Sequence, residues 1–201
     1  MRILVLGGSQ MLGRDFVERC MARHSIVLAN RGVTSPGLFP DLEHVRMDRD
    51  SPHRPLGLGM LGPVDAVVDF SCYKVAHLEN TIPFLPQYGR YVYVSTMSVF
   101  DEDAHRQPDP ANPYYWYCVN KIECEDWIRA YAERGRWSVV RPCAVVGPHD
   151  YTGRFFERAG RYFWKCNGQE AAEGTVAVAA VSEALEREIS ASGYREIEVC
   201  R

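Results

Sequence analysis

The sequence predicts an α/β protein built on a doubly wound parallel sheet, and three observations carry that expectation. Short apolar, β-branched runs alternate with longer segments that can be helical, which is the pattern of repeated strand–helix–strand units. The runs are nearly continuous in apolar character, as parallel strands covered on both faces must be. A glycine-rich stretch follows the first run directly, where such a strand hands over to a helix.

The strand candidates are Ile3 to Leu6, Ile26 to Ala29, His44 to Met47, Val64 to Phe70, Arg90 to Val94 and Ser138 to Val140. An amphipathic helix is expected from Leu12 to Ala22, and a second starts at Asn112-Pro113, where Asn caps free N–H groups and Pro suits the first helical position. Ser51 to Pro63, rich in Pro and Gly, and the acidic, Pro-rich Asp101 to Pro113 read as loops. Beyond Gly147 the rhythm becomes irregular. An aromatic and basic patch (Arg154, Phe155, Phe156, Tyr162, Phe163, Trp164) precedes a helix, Ser182 to Ser190, and a last strand, Glu196 to Val199. The expected division is a dinucleotide-binding domain over residues 1–148 and a small substrate-side appendage over residues 149–201.

Composition excludes several classes of function. At 201 residues, 46% apolar and 24% charged, the chain fits one globular domain with a small addition, and no apolar stretch approaches the roughly 20 residues that span a bilayer. A net charge of −3 supplies no basic field for nucleic acid. The seven cysteines (Cys20, Cys72, Cys118, Cys124, Cys143, Cys166, Cys200) are odd in number and form no C-x-x-C pair, so they are expected to be reduced thiols. The first residues lack the features of a signal peptide, and a cytoplasmic protein is expected. No metal-ligand spacing is present, so no metal is expected.

Gly7-Gly8-Ser9-Gln10-Met11-Leu12-Gly13-Arg14 is placed to hold a dinucleotide's pyrophosphate. Glycines let the backbone turn sharply and approach phosphate, while a helix N-terminus offers unpaired N–H groups and a positive dipole end. Gln10 stands where the usual pattern has a glycine. At the end of the second strand, Leu28-Ala29-Asn30-Arg31-Gly32 has no carboxylate for a ribose 2′-hydroxyl. Arg31 could instead pair with a 2′-phosphate, which favours NADP(H) over NAD(H). Asp48 would meet the adenine.

Tyr117 and Lys121 are four residues apart and share one helix face, a spacing at which an ammonium can stabilise a phenolate. Upstream, Val94-Ser95-Thr96-Met97-Ser98-Val99-Phe100 puts three hydroxyl residues at a strand's carboxyl end, where ligands of open α/β sheets bind.

Together with Arg141-Pro142-Cys143-Ala144-Val145-Val146-Gly147-Pro148, these motifs resemble in order and spacing the extended short-chain dehydrogenase/reductase superfamily, and within it the NAD-dependent epimerase/dehydratase family. The resemblance implies a Rossmann domain with a C-terminal substrate lobe. It makes Tyr117 the acid/base, Lys121 the residue that holds the nicotinamide ribose and lowers the Tyr pKa, and Thr96 the catalytic hydroxyl in preference to Ser95 and Ser98. Gly7, Ser9, Gln10, Met11 and Leu12 would take the pyrophosphate, Asn30 and Arg31 the adenosine side, Phe70, Ser71 and Cys72 the middle of the cofactor, and Pro142 and Val145 the nicotinamide. A branch that includes plant chloroplast stem-loop-binding proteins similarly has a larger polar residue in the glycine turn and an Asn-Arg-Gly. The 53 residues after Pro148 are fewer than nucleotide-sugar enzymes of the family carry there, so a smaller substrate is expected.

The expected function is an NADP(H)-linked oxidoreductase or epimerase acting on a small hydroxyl or carbonyl compound, with no nucleic-acid or membrane partner. The alternative is a non-catalytic NADP(H)-binding regulatory or scaffold protein. RNA binding, suggested only by the branch, is opposed by the acidic balance. Dimerisation through the helix of Tyr117 is common in the superfamily, so a homodimer is among the expectations.

Overall fold

The computed structural model describes all residues except 52–55, 103–108, 132–135, 166–169, 171–173 and 201. Cys166 and part of each expected loop therefore lie outside the described residues. Seven parallel strands form the main sheet: β1 (Arg2–Leu6), β2 (Ser25–Asn30), β3 (Glu43–Arg46), β4 (Val64–Asp69), β5 (Tyr88–Val94), β6 (Trp137–Pro142) and a last strand, Arg195–Val199. Its order runs from that last strand through β6, β5, β4 and β1 to β2 and β3. The order reverses between β1 and β4, so a crevice opens at their carboxyl ends.

Alternation along β1 shows why both faces are covered. Ile3 and Val5 join Phe16, Val181 and Leu185 on one face, while Leu4 and Leu6 join Tyr91, Cys124, Ile128 and Trp137 on the other. Helix α1 (Met11–Cys20) lies on the first face. On the second are two short helices, α2 (Leu56–Gly59) and α3 (Val75–Glu79), and the long α4 (Pro113–Tyr131). Tyr91 and Trp137 stack there with ring centroids 4.0 Å apart. Asn112 caps α4 as expected, its Oδ1 accepting from the Tyr114 N–H at 2.9 Å.

The segment expected as an appendage does two things. After β7 (Ala144–Val146), the chain forms an antiparallel hairpin, β8 (Phe155–Arg158) and β9 (Arg161–Trp164). It then pairs β10 (Thr175–Ala177) in parallel with β7 and returns to the main sheet through helix α5 (Val178–Glu188) and strand β11 (Arg195–Val199). Helix α5 packs against α1 through buried Val181 and Leu185, and Glu186 binds Arg19 at 2.8 Å.

The expectation of wholly reduced cysteines is corrected at one pair: Cys143 and Cys200 form a disulfide. Each follows directly on one of two adjacent parallel strands, in a register that sets Pro142 beside Val199, and their Cα atoms are 5.2 Å apart. That lies within the range a disulfide bridges. A pairing between strands more than fifty residues apart leaves no trace in cysteine spacing. Cys20, Cys72, Cys118 and Cys124 are free and buried.

Leu185 is fully buried between α5 and the sheet. Leu185→Ala is expected to lower the unfolding free energy by about 2–5 kcal/mol, measured by urea denaturation. A change of a few tenths would mean that α5 is a dispensable addition.

Candidate active site

A cleft of about 370 Å³ runs across the carboxyl ends of the strands, from the turn after β2 to the helix carrying Tyr117. Its floor is the glycine turn. Gly7 and Gly8 have φ of 109° and 89°, in the region that favours glycine. A Cβ on Gly13 would lie 2.8 Å from the Gly8 nitrogen, so α1 and the end of β1 touch backbone to backbone. Gln10 is extended (φ −137°, ψ 147°), a conformation open to any residue, and so the position needs no glycine. The departure from the usual pattern costs the turn nothing at that point. Strain falls on the next residue, Met11, whose φ is 32°. Gln10 makes no side-chain cap, and the first-turn N–H groups of α1 open onto the cleft. This cradle fits a pyrophosphate.

At the exit of β2, Asn30 Nδ2 donates to the Gly7 carbonyl at 3.2 Å, and its Oδ1 accepts from the Gly32 N–H at 2.7 Å. The glycine turn and the adenosine end of the cleft are thus held by one side chain. Arg31 and Asp48 line the cleft here, as the sequence suggests. A side pocket of about 70 Å³ branches off between Ser9, Thr34 and Arg46.

The middle of the cleft is lined by Phe70 and Ser71. Cys72, expected beside them, is instead fully buried, its Sγ 3.9 Å from that of Cys124. Only its carbonyl takes part, accepting from Lys121 Nζ at 2.8 Å. Beneath lies Asp69, completely buried. Burial alone pushes its carboxyl up, but the Arg49 charge and hydrogen bonds from Arg49, Tyr91 and the Ser71 N–H outweigh it and hold the carboxyl below its ordinary value.

At the far end stand Tyr117, Lys121, Pro142 and Val145. Burial is the largest influence on Tyr117 and raises its pKa, while a hydrogen bond with the Thr96 side chain and the charge of Arg154 oppose the rise. Thr96 is 9% exposed and is not among the residues lining the cleft, and its Oγ1 accepts from the Ser98 N–H at 3.2 Å. Ser95 lines the cleft, but its Oγ donates to Glu125 Oε1 at 2.5 Å, whereas Thr96 reaches the site through its bond to the phenol. Lys121 differs from the expectation that it lowers the Tyr117 pKa. Its ammonium is bonded to the carbonyls of Cys72 and Val94, both at 2.8 Å, and lies against the rings of Tyr73 (5.0 Å) and Tyr93 (4.8 Å). Burial lowers its own pKa.

Tyr73, Arg46 and Arg49 were not singled out by sequence reasoning. The position of Tyr73 just past the end of β4 is the signal that was available for it. Arg46 becomes visible through register, since β3 sets it beside Asn30.

A parallel sheet with a glycine turn after its first strand, and a Tyr/Lys helix beside its switch point, is a fold of the Rossmann type. Residues 74–167 match the family model described as the NAD dependent epimerase/dehydratase family, and the resemblance carried by the motifs is borne out. The chain is 31% identical over 135 residues, 65% of its length, to the 2'-dehydrokanamycin reductase of Streptomyces kanamyceticus, and spans 38% of that protein. Among solved structures, the Bordetella bronchiseptica enzyme WbmH in complex with NAD+ superposes with a TM-score of 0.66 at 18% identity, over 98% of this chain and 74% of that one. A wide-type short-chain dehydrogenase/reductase from Veillonella parvula, in complex with NADP, gives 0.62 at 11% identity, over 92% and 85%. These two likenesses show the shared fold. Among the described residues, no helix is long and apolar enough to cross a membrane, and no group of His, Cys, Asp and Glu could hold a metal ion.

Since burial dominates, Tyr117 is expected to stay protonated at neutral pH in the ligand-free protein and to ionise above the ordinary phenol value of 10.0. Arg154→Gln removes an opposing positive charge and is expected to move that ionisation higher still. Ultraviolet difference titration against Tyr117→Phe measures both. An ionisation below the ordinary value would contradict the dominance of burial.

Proposed function

We propose that this chain is an NADP(H)-preferring oxidoreductase or epimerase of the short-chain dehydrogenase/reductase type, acting on a small hydroxyl or carbonyl compound with Tyr117 as acid/base. The observation that carries the reading is that Tyr117 and Lys121 stand at the end of a cleft that begins at the glycine turn, with the Thr96 side chain hydrogen-bonded to the Tyr117 phenol. The matched family and the reductase relative support the same chemistry.

Gly7, Ser9, Met11 and Leu12 would hold the pyrophosphate, Asp48 the adenine, Lys121 the nicotinamide ribose, and Pro142 and Val145 the nicotinamide ring. When bound, the nicotinamide supplies or accepts a hydride at its C4 carbon. In reduction, the protonated Tyr117 phenol gives its proton to the substrate oxygen as the C=O π bond opens. In oxidation, the phenolate takes the hydroxyl proton back. Thr96 holds the Tyr117 oxygen in place and, by hydrogen bonding, favours the phenolate.

Preference for NADP(H) rests on charge. Arg31 lines the adenosine end, and Arg46 lines the adjoining side pocket with the hydroxyl-bearing Ser9 and Thr34. Gly32 leaves room for the Arg46 guanidinium, whose Nε would come within 2.9 Å of a Cβ there. Two guanidiniums and two hydroxyl groups suit a phosphate monoester better than a ribose 2′-hydroxyl.

Direct titration with NADPH and NADH, followed by calorimetry, tests the cofactor. Arg31→Ala is expected to weaken NADPH by roughly tenfold, about 1.4 kcal/mol, and to leave NADH nearly unchanged. Tyr117→Phe is expected to lower kcat at least a hundredfold with cofactor affinity retained, the range of a lost general acid. Binding of neither nucleotide would sink the oxidoreductase reading.

A further inference from the structure

Carboxylates line one end of the cleft and not the other. Its adenosine end carries Asp48 and Asp50 beside Arg31 and Arg49, and Asp50 is paired with Lys74 at 2.5 Å and with His77 at 3.1 Å. At the Tyr117 end, the lining charges are Lys121 and Arg154, and no carboxylate lines that end. The Lys121 ammonium is occupied by two backbone carbonyls. Arg154 is not occupied in this way. It is exposed, its Nε donates to Thr152 Oγ1 at 3.1 Å, and its guanidinium lies over the Phe155 ring at 5.5 Å. Among the described residues no carboxylate pairs with it. Of the five N–H donors of a guanidinium, one is used, and the planar fork remains open.

The backbone holds this arginine where it is. Gly153, with φ 67°, turns the chain into β8, and the Arg154 carbonyl accepts from the Lys165 N–H at 2.9 Å. The Lys165 ammonium, just past β9, comes within 4.0 Å of where a Cβ on Gly153 would lie, a second cation beside the turn. Arg154 is also near enough to Tyr117 for its charge to act on the phenol. Tyr73, Tyr151 and Thr152 line the same end and offer ring faces and hydroxyl groups, while the Asp150 carboxylate, whose Oδ1 accepts from the Thr152 N–H at 2.8 Å, does not line it. An open arginine fork in a cleft wall, beside the group that exchanges the proton, matches a planar or tetrahedral oxyanion.

We infer that the substrate carries a carboxylate or phosphate, held by the Arg154 guanidinium while its hydroxyl or carbonyl carbon faces Tyr117. This rests on the oxidoreductase reading above and narrows its substrate class to anionic compounds. Arg154 is then a specificity-determining residue, and a cationic substrate is disfavoured at the same position.

The test uses the protein saturated with NADP+, so that the pyrophosphate cradle is filled. Calorimetry compares benzoate and phenyl phosphate with the neutral benzamide. One anion is expected to bind at least about tenfold tighter than benzamide, and which of the two does so separates a carboxylate from a phosphate site. Arg154→Gln is expected to abolish the difference, while Arg158→Gln, on the exposed hairpin, keeps it. With NADPH, kcat/KM for 4-carboxybenzaldehyde against its methyl ester, and for glyceraldehyde 3-phosphate against glyceraldehyde, is expected to follow the same order. Equal binding of charged and neutral ligands, tighter binding of benzylamine, or a preference that survives Arg154→Gln would overturn the inference while NADP+ binding leaves the cofactor reading intact. Failure of NADP+ to bind would overturn both.

Discussion

Helix α1 meets strand β1 backbone to backbone at Gly8 and Gly13, and not even a methyl group fits between them, since a Cβ on Gly8 would press on Leu28 and Val5 at 3.0 and 3.1 Å and one on Gly13 on the Gly8 backbone. That contact fixes where the N-terminus of α1 points, and therefore where phosphate can be bound without a dedicated cationic side chain. Asn30 carries the constraint to the next strand by bonding both the Gly7 carbonyl and the Gly32 N–H, and its Oδ1 also meets His44 Nε2 at 2.8 Å. The ends of β1 and β2 and the side of β3 are thereby tied together. The unfavourable φ of Met11 is tolerated because the surrounding contacts leave the chain no other route from turn to helix.

Buried charge holds the other half of the cleft. Asp69 accepts Arg49 Nη1 at 2.7 Å, the Ser71 N–H at 3.0 Å and the Tyr91 hydroxyl, which ties the exit of β3 to β4 and β5. Glu125 on α4 accepts two bonds from Arg141, at 2.9 and 2.6 Å, and one from Ser95, while Arg141 reaches on to Glu196 of β11 at 2.6 Å. Such pairs offset the cost of desolvation only when the buried oxygens are well bonded; Glu125 accepts two bonds on each oxygen, one of them from Arg129, and Asp69 two on Oδ1 and one on Oδ2. Their effect is geometric: β4, β5, β6 and α4 meet at fixed angles, and Tyr117 is carried on the same helix as Glu125. Loss of one member would leave the other charge buried and unpaired, so the networks are stiffer than their net stabilisation suggests.

The central strands were legible because burial on both faces writes itself as continuous apolar sequence, and the helix of Tyr117 because Asn112 and Pro113 mark its start. The glycine turn, Arg31, Asp48, Tyr117 and Lys121 could be read from position along the chain. Three features could not. The return of α5 and β11 to the main sheet depends on the long-range pairing of Val139 with Glu196 and its neighbours. The Cys143–Cys200 disulfide depends on that same pairing. The inward turn of Cys72 depends on the space left beside Cys124 under α4. Each is decided by what packs against the residue from a distant segment, which local spacing does not encode.

The division of labour between Lys121 and Tyr117 follows from the same geometry. A lysine four residues from a tyrosine on a helix suggests a cation placed to stabilise phenolate, and in the structure the ammonium is drawn past the phenol towards the ends of β4 and β5. There two carbonyls and two aromatic faces compensate its desolvation. An ammonium has three N–H donors, and the two carbonyls take two of them. What remains is one donor at the cleft wall, suited to a hydroxyl of a bound ribose. The burden of favouring the phenolate therefore passes to Thr96 and Arg154, the two groups that oppose the effect of burial on Tyr117. A site arranged in this way couples proton exchange to whatever neutralises Arg154, because an anion bound there removes part of the field that stabilises the phenolate and leaves the phenol a better keeper of its proton.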